Sequence, residues 1–236
     1  MRKARQLTFT DARMKAGRGG PRPGAGRPAS ARPVVHHVKR DDVSEREPAH
    51  VTIRVLRNVP SLRRKPFLRM FQRSLREVRG RPDFRVVEYS VQTDHVHLLV
   101  EASDKDALAR GMKAVGSRLA RAVHRAFARC GRVLAGRYHL RALTSPKAVR
   151  HALAYVLLNT RKHWRQRNGQ APPVRIDAAS SGRLFNGWSR KAPSVALVLG
   201  LREISPAETW ILRIGWKKFG LIDPAEIPGG RKRVIA

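Results

Sequence analysis

Apolar and polar residues alternate through His50-Val51-Thr52-Ile53-Arg54-Val55-Leu56-Arg57, the pattern of a strand buried on one face. From Pro66 to about Arg79 the period changes, and Phe67, Phe71, Leu75 and Val78 recur at helical spacing behind a proline suited to a first turn. Phe84 to Gln92 reads as a second strand. Only Thr93-Asp94 separates it from a third, His95-Val96-His97-Leu98-Leu99-Val100-Glu101, so the pair is expected to form a hairpin. Asp104 to about Arg129 predicts a long amphipathic helix with Leu108, Met112, Val115, Leu119, Val123 and Phe127 as its apolar stripe. Arg132 to Leu143 reads as a fourth strand, and Ser145-Pro146 opens another helix. The order βαββαβ predicts an α+β fold, a ferredoxin-like split sheet with one appended helix.

The flanks differ. The first forty or so residues are rich in Gly, Pro and Arg and lack apolar periodicity, so they bury too little surface to offset ordering entropy. After about Gln170, Ala171-Pro172-Pro173 and Ala179-Ser180-Ser181-Gly182 are linker-like. Pro206 to Phe219 predicts one more helix, whose Trp210 and Trp216 are read as packing residues. The expected organisation is therefore a disordered basic arm (1–45), a central domain (46–168) and a partly helical C-terminal extension (169–236).

Composition then narrows the partner. Among 236 residues, 50 Lys and Arg face 17 Asp and Glu, a formal net charge of +33 that a compact fold sustains best against a polyanion. Nucleic acid leads; no apolar run approaches the roughly 18 residues of a membrane span, and the N-terminus lacks a signal-peptide core. A cytoplasmic, nucleoid-associated protein is expected. The lone Cys130 excludes an internal disulfide and a Cys-rich zinc site. Candidate nucleic-acid contacts are Arg118, Arg121, Arg125 and Arg129 on the long helix, Lys162 on the last one, and Arg22 and Arg27 in the arm. Gly19-Gly20-Pro21-Arg22-Pro23-Gly24-Ala25-Gly26-Arg27-Pro28 is similar to an AT-hook, with alanine where an arginine usually precedes the core glycine, so a non-specific electrostatic arm is the reading preferred.

The chemistry rests on four residues. His95 and His97, split by Val96, put two imidazoles on one face of a strand, a geometry that suits a metal as well as a simple hydrogen-bonded pair. Downstream, Tyr155 and Asn159 stand four apart, which on a helix places a phenol and a carboxamide on one face. A metal pair and a phenol are the minimum for covalent cleavage of a phosphodiester. His139 and His151 are read as scaffold residues, and the rival phenols Tyr89 and Tyr138 lack a metal-capable residue at i+4.

With these motifs the chain resembles the single-tyrosine transposases of the HUH superfamily, named for a His-hydrophobic-His motif, and most of all the REP-associated and related bacterial members. The resemblance rests on Thr93-Asp94-His95-Val96-His97-Leu98-Leu99-Val100 and Tyr155-Val156-Leu157-Leu158-Asn159 and spans about residues 50 to 165. It implies a nuclease domain that nicks and rejoins single-stranded DNA, with His95, His97 and Asn159 as metal ligands and Tyr155 as nucleophile. Asparagine is typical of the REP-associated branch and glutamine of insertion-sequence members; Thr160 stands where the former often has proline. Two imidazoles and an amide oxygen leave room for water and phosphate oxygens about Mg2+ or Mn2+. The implied partner is single-stranded or hairpin DNA, bound by a monomer or a homodimer. A domesticated relative that binds structured DNA or RNA without cutting is the alternative.

Overall fold

The computed structural model describes residues 44–190 and 202–229. The chain divides into units of residues 1–39 and 40–236, and all described residues belong to the second. The expected basic arm, with Arg22, Arg27 and the AT-hook-like segment, lies outside the described residues.

Four strands form the sheet: β1 (Ala49–Arg54), β2 (Phe84–Val91), β3 (His95–Ala102) and β4 (His139–Ala142). Their order is β2-β3-β1-β4 with every neighbouring pair antiparallel, the split βαβ arrangement expected from the element order. Helix α1 (Lys65–Val78) joins β1 to β2, and α2 (Lys105–Phe127) joins β3 to β4. α3 (Pro146–Asn168) follows β4. Ser145 caps α3 by accepting a hydrogen bond from the Ala148 amide, and Asp104 caps α2 in the same way through Ala107.

The period-2 alternation sorts the strands' residues between two layers. Ala49, Val51 and Ile53 of β1 and Val96, Leu98 and Val100 of β3 pack against Phe67, Phe71 and Leu75 of α1 and the apolar stripe of α2. α2 comes so close to β2 that a Cβ at Gly111 would lie 2.1 Å from the Phe84 ring. On the opposite face, Val87 and Leu99 meet Leu153, Val156 and Leu157 of α3, together with Leu212, Trp216 and Ile222. His50, Thr52, Arg54, His95 and His97 share that second face, towards its β1 and β4 side.

Several local expectations change. The fourth strand is four residues long instead of twelve, because Val133 and Leu134 pair with the continuation of β1 at Leu56 and Val55 before the chain turns into β4. The helix expected over 206–219 contracts to α4 (Trp210–Arg213) and a 3-10 turn (Gly215–Phe219). Ile214 leaves helical geometry between them, and Gly215 lies against the Trp210 ring, where a Cβ would come within 2.7 Å. Trp216 packs as expected, whereas Trp210 is half exposed beneath the Lys218 ammonium. The linker-like Ala179-Ser180-Ser181-Gly182 is buried: it covers the free edge of β2, with Val91 donating to the Ala179 carbonyl and a bridge between Ser90 and Ser180. Small residues let the backbone approach that edge, and a Cβ at Gly182 would press on Ile176 at 3.0 Å. Cys130 is exposed just past α2.

Candidate active site

β1 and β3 bring the first half of the site together through register alone. Thr52 pairs directly with His97, and Arg54 with His95. The His97 Nδ1 lies 3.1 Å from Thr52 Oγ1 and 3.2 Å from His50 Nε2. His95 Nδ1 lies 2.7 Å from the Asp94 carboxylate. Both Nδ1 atoms are thus engaged, and the two Nε2 atoms face each other 3.0 Å apart.

Burial keeps the inner imidazoles neutral. His97 is pushed down to about 3 by desolvation, reinforced by His50, His95, His163 and Arg54. His50 is lowered to about 4, again chiefly by desolvation, with His139 and Arg141 adding to it. Burial works against ionisation of Asp94, but the His95 hydrogen bond and neighbouring positive charge hold its carboxyl below the usual range.

α3 supplies the second half. The Tyr155 ring lies edge-on to His97 at 5.1 Å and to His50 at 5.7 Å between centroids. Lys162 stacks its ammonium over the same ring at 4.9 Å. Between Tyr155 and Asn159 the helix is interrupted: Leu158 has φ −112° and ψ 15°, so the expectation of one regular face carrying both side chains gives way to two helical segments meeting at a kink. The second segment is anchored by Thr160, which donates to Asp177, itself held by a bidentate pair with Arg63 at 2.8 Å. Asn159 is fully buried, and neither its Oδ1 nor its Nδ2 has a hydrogen-bond partner.

These features suit a divalent cation. Two nitrogens 3.0 Å apart match adjacent ligands around one ion, since roughly 2.1 Å bonds at right angles subtend about 3.0 Å. The engaged Nδ1 atoms are the outer partners expected of ligating histidines. The buried Asn159 amide has no hydrogen-bond partner, which is costly in itself, and Asn159 is not among the residues that line the cleft of the histidines. Among the described residues no group of three or more His, Cys, Asp or Glu is arranged to hold a metal. A cation at the histidine pair would therefore complete its shell from other donors, such as water and substrate oxygens.

The histidines and Tyr155 open into a cleft of about 1350 Å³. Its walls include Arg54, Arg141, Lys147 and Arg165, while its acidic residues Glu226 and Asp223 are already paired with Arg150 and Arg190. His139 and His151, read from sequence as scaffold, line this cleft. One wall is the segment 223–229, tied to α3 by the Arg150–Glu226 pair and by Arg161, which donates to the carbonyls of Pro173, Ala225 and Glu226.

The other expected residues fall elsewhere. Arg118, Arg121, Arg125 and Arg129 belong to α2 and the residues just past it, on the layer across the sheet, and Arg118 pairs with Glu77. Tyr89 is fully buried in that layer, where its hydroxyl donates to Glu203, so it cannot meet a phosphate. His50, Thr52 and Asp94 were not singled out by sequence reasoning. The signal for the first two was present in the polar alternation His50, Thr52, Arg54, but only strand register shows that it faces the histidine pair.

Residues 48–141 match a family model described as "Transposase IS200 like". The match contains both His95 and His97 and ends before Tyr155. Among solved structures, a REP-associated tyrosine transposase bound to a REP hairpin is similar with a TM-score of 0.46 and 16% identity, over 61% of this chain and 96% of that one. A bacterial tRNA(His) guanylyltransferase-like protein in complex with ATP is similar with a TM-score of 0.39 and 10% identity, over 52% of this chain and 61% of that one. No curated protein matches the chain.

Proposed function

We infer, supported by the match of residues 48–141 to the IS200-like transposase model, a metal-dependent strand transferase that nicks and rejoins single-stranded DNA through Tyr155. The observation carrying this reading is the meeting, within one chain, of the phenol of Tyr155 with the facing histidine pair, 5.1 Å from the His97 ring. Tyr155 and the histidine pair come from one chain, the arrangement that action in cis requires.

His95, His97 and Asn159 would hold the ion, Mg2+ or Mn2+. When bound, it supplies positive charge to the scissile phosphate and stabilises the charge that develops there. The chain's own residues do the rest. Tyr155 Oη attacks phosphorus and forms a P–O bond as the bond from phosphorus to the 3′ oxygen breaks. The phenolic proton leaves to solvent, the 3′ oxygen takes up a proton, and the products are a 5′-phosphotyrosine and a free 3′-OH. Lys162, above the ring, holds the phenol in place through a cation–π contact. Arg54, Arg141 and Lys147 orient the strand through its phosphates. Because the phosphotyrosine bond conserves the energy of the broken linkage, the 3′-OH of another strand can reverse the attack without ATP. Sites flanking a DNA hairpin are the proposed targets.

The test is a denaturing gel for a covalent protein–DNA adduct, with single-stranded oligonucleotides from the sequence flanking the gene, in Mn2+ or chelator. An adduct that needs the ion and disappears in Tyr155→Phe supports the reading. Tight binding without an adduct would instead favour a non-cleaving binder of structured nucleic acid.

A further inference from the structure

On the α3 face of the sheet, a second cavity of about 330 Å³ lies apart from the cleft. No described residue lines both: Leu153 of α3 borders this cavity, whereas Ala152, Ala154 and Tyr155 border the cleft. Among the described residues the cavity has one acidic lining residue, Glu88, and an irregularity of β2 places it there. Val86 pairs with Val100 and Tyr89 with Leu98, all packed towards α1 and α2, so Val87 and Glu88 stand together opposite Leu99. That bulge turns two consecutive side chains to the α3 face, where strict alternation would allow one.

Glu88 is only 5% exposed. Ser181 Oγ donates to its Oε2, and Oε1 has no hydrogen-bond partner among the described residues. A buried carboxyl with a spare oxygen is costly unless something meets it. Burial raises it to about 8, so near neutrality it is mostly protonated, and the Ser181 hydrogen bond leaves that proton on Oε1. The cations of the cavity, Arg79, Arg202, Arg213 and Lys217, are all exposed, and none pairs with a carboxylate among the described residues. Exposed cations above a buried neutral donor suit an anion with several acceptor oxygens, which describes a phosphate. Phe185, half-buried and stacked on Trp216 at 5.7 Å between centroids, adds an aromatic wall suited to a flat ring.

We propose that this cavity is a second, non-catalytic site for one nucleoside phosphate unit, its phosphate held by Glu88, Arg213 and Lys217 and its base set against Phe185. The unit is a free mononucleotide or one residue of a bound strand, and the recognising chemistry is the same for both. The volume is at the lower end of small-molecule sites, enough for one unit and too small for a run of strand. Neither Tyr155 nor an ion at the histidines takes part, so the assignment stands independently of the function proposed for the cleft.

The experiment is isothermal titration calorimetry of the full-length protein with each of the four deoxynucleoside 5′-monophosphates in the presence of chelator, with the unphosphorylated deoxynucleosides as controls. The expected result is saturable binding of at least one monophosphate, much weaker binding of its nucleoside, and no change in His97→Ala or Tyr155→Phe, which alter only the cleft. Arg213→Gln combined with Lys217→Gln should weaken binding about tenfold or more, the scale of one lost charged hydrogen bond. Glu88→Leu should weaken it to a similar extent, whereas Glu88→Gln, whose amide accepts from Ser181 and still donates, should bind as wild type does. Displacement of the mononucleotide by a short single-stranded oligonucleotide would assign the site to a residue of the strand, and failure to displace it would assign the site to a free nucleotide; both support the proposal. No saturable binding, wild-type binding by the Arg213 and Lys217 double variant, or binding lost in both cleft variants overturns the inference and leaves the proposed function standing.

Discussion

The two faces of the sheet are built from the same strands by the same alternation, yet they have opposite characters. Towards α1 and α2, Val51, Val96 and Leu98 are sealed completely. Towards α3, the same strands offer His50, Thr52, Arg54, His95 and His97 to a cleft. A single-residue offset separates the structural from the chemical set, so a one-residue slip of β1 against β3 would exchange them. The sealed face pins the register, and register is what holds Thr52 opposite His97. The α3 face has its own apolar core around Leu99, Leu153 and Trp216, and beside that core it keeps neutral imidazoles and cations without a carboxylate partner among the described residues.

The largest expected effect breaks that division at the chemical face. His97→Ala should abolish ion-dependent cleavage, read as adduct formed per unit time, while costing about 1–3 kcal/mol of unfolding free energy for the lost buried polar contacts. The mirror experiment is Phe71→Ala on the sealed face. It should cost about 3–5 kcal/mol in a denaturant melt, yet at a temperature where the protein remains folded the adduct yield should persist. If His97→Ala unfolded the protein, or Phe71→Ala selectively silenced it, the separation of roles between faces would be wrong.

A third prediction concerns a buried group belonging to neither role. Glu88 of β2 is raised to about 8, mainly by burial, which the Ser181 hydrogen bond partly counters and the nearby Glu203 charge reinforces. A carboxyl with a raised folded-state value binds more protons folded than unfolded, so its contribution is complete below about 4.5 and is lost as pH rises to about 8. Glu88→Gln keeps a hydrogen-bonding partner for Ser181 and removes the titration. Its unfolding free energy, measured from pH 5 to 8.5, should fall less steeply than that of wild type; equal slopes would place the proton elsewhere.

How much of this was legible in the sequence follows from the range of each interaction. The periods of 2 and 3.6 residues are local, and they yielded the element order, the split sheet and the strand placement of His95 and His97. The pairing of Thr52 with His97 spans 45 residues and depends on register, which no local period encodes. The kink at Leu158 lies in a stretch without Pro or Gly and has no local signature. Ala179-Ser180-Ser181-Gly182 has a linker's composition, and its burial arises because the edge of β2 needs a cover and small residues fit there. Sequence reasoning also grouped the arginines of α2 with the reactive residues because it could not tell which side of the sheet each helix takes.

That last point supplies the smallest and sharpest test of the comparison. Among the cations of α2, Arg118 and Arg110 pair with Glu77 and Asp83, whereas Arg121 and Arg125 are exposed without a carboxylate partner among the described residues. If the strand bound in the cleft ran only along the α3 face, Arg121→Gln with Arg125→Gln would leave the salt dependence of single-strand affinity unchanged. If the same nucleic acid also wrapped to the α2 face, each lost phosphate contact would lower the slope of log affinity against log salt by about 0.7. The expected outcome is an unchanged slope for a short single strand confined to the cleft, because the sheet and its apolar layer stand between the two sets of cations. A loss near 1.4 for the double variant, measured on that short strand, would mean that α2 belongs to the substrate path and that the faces share one ligand.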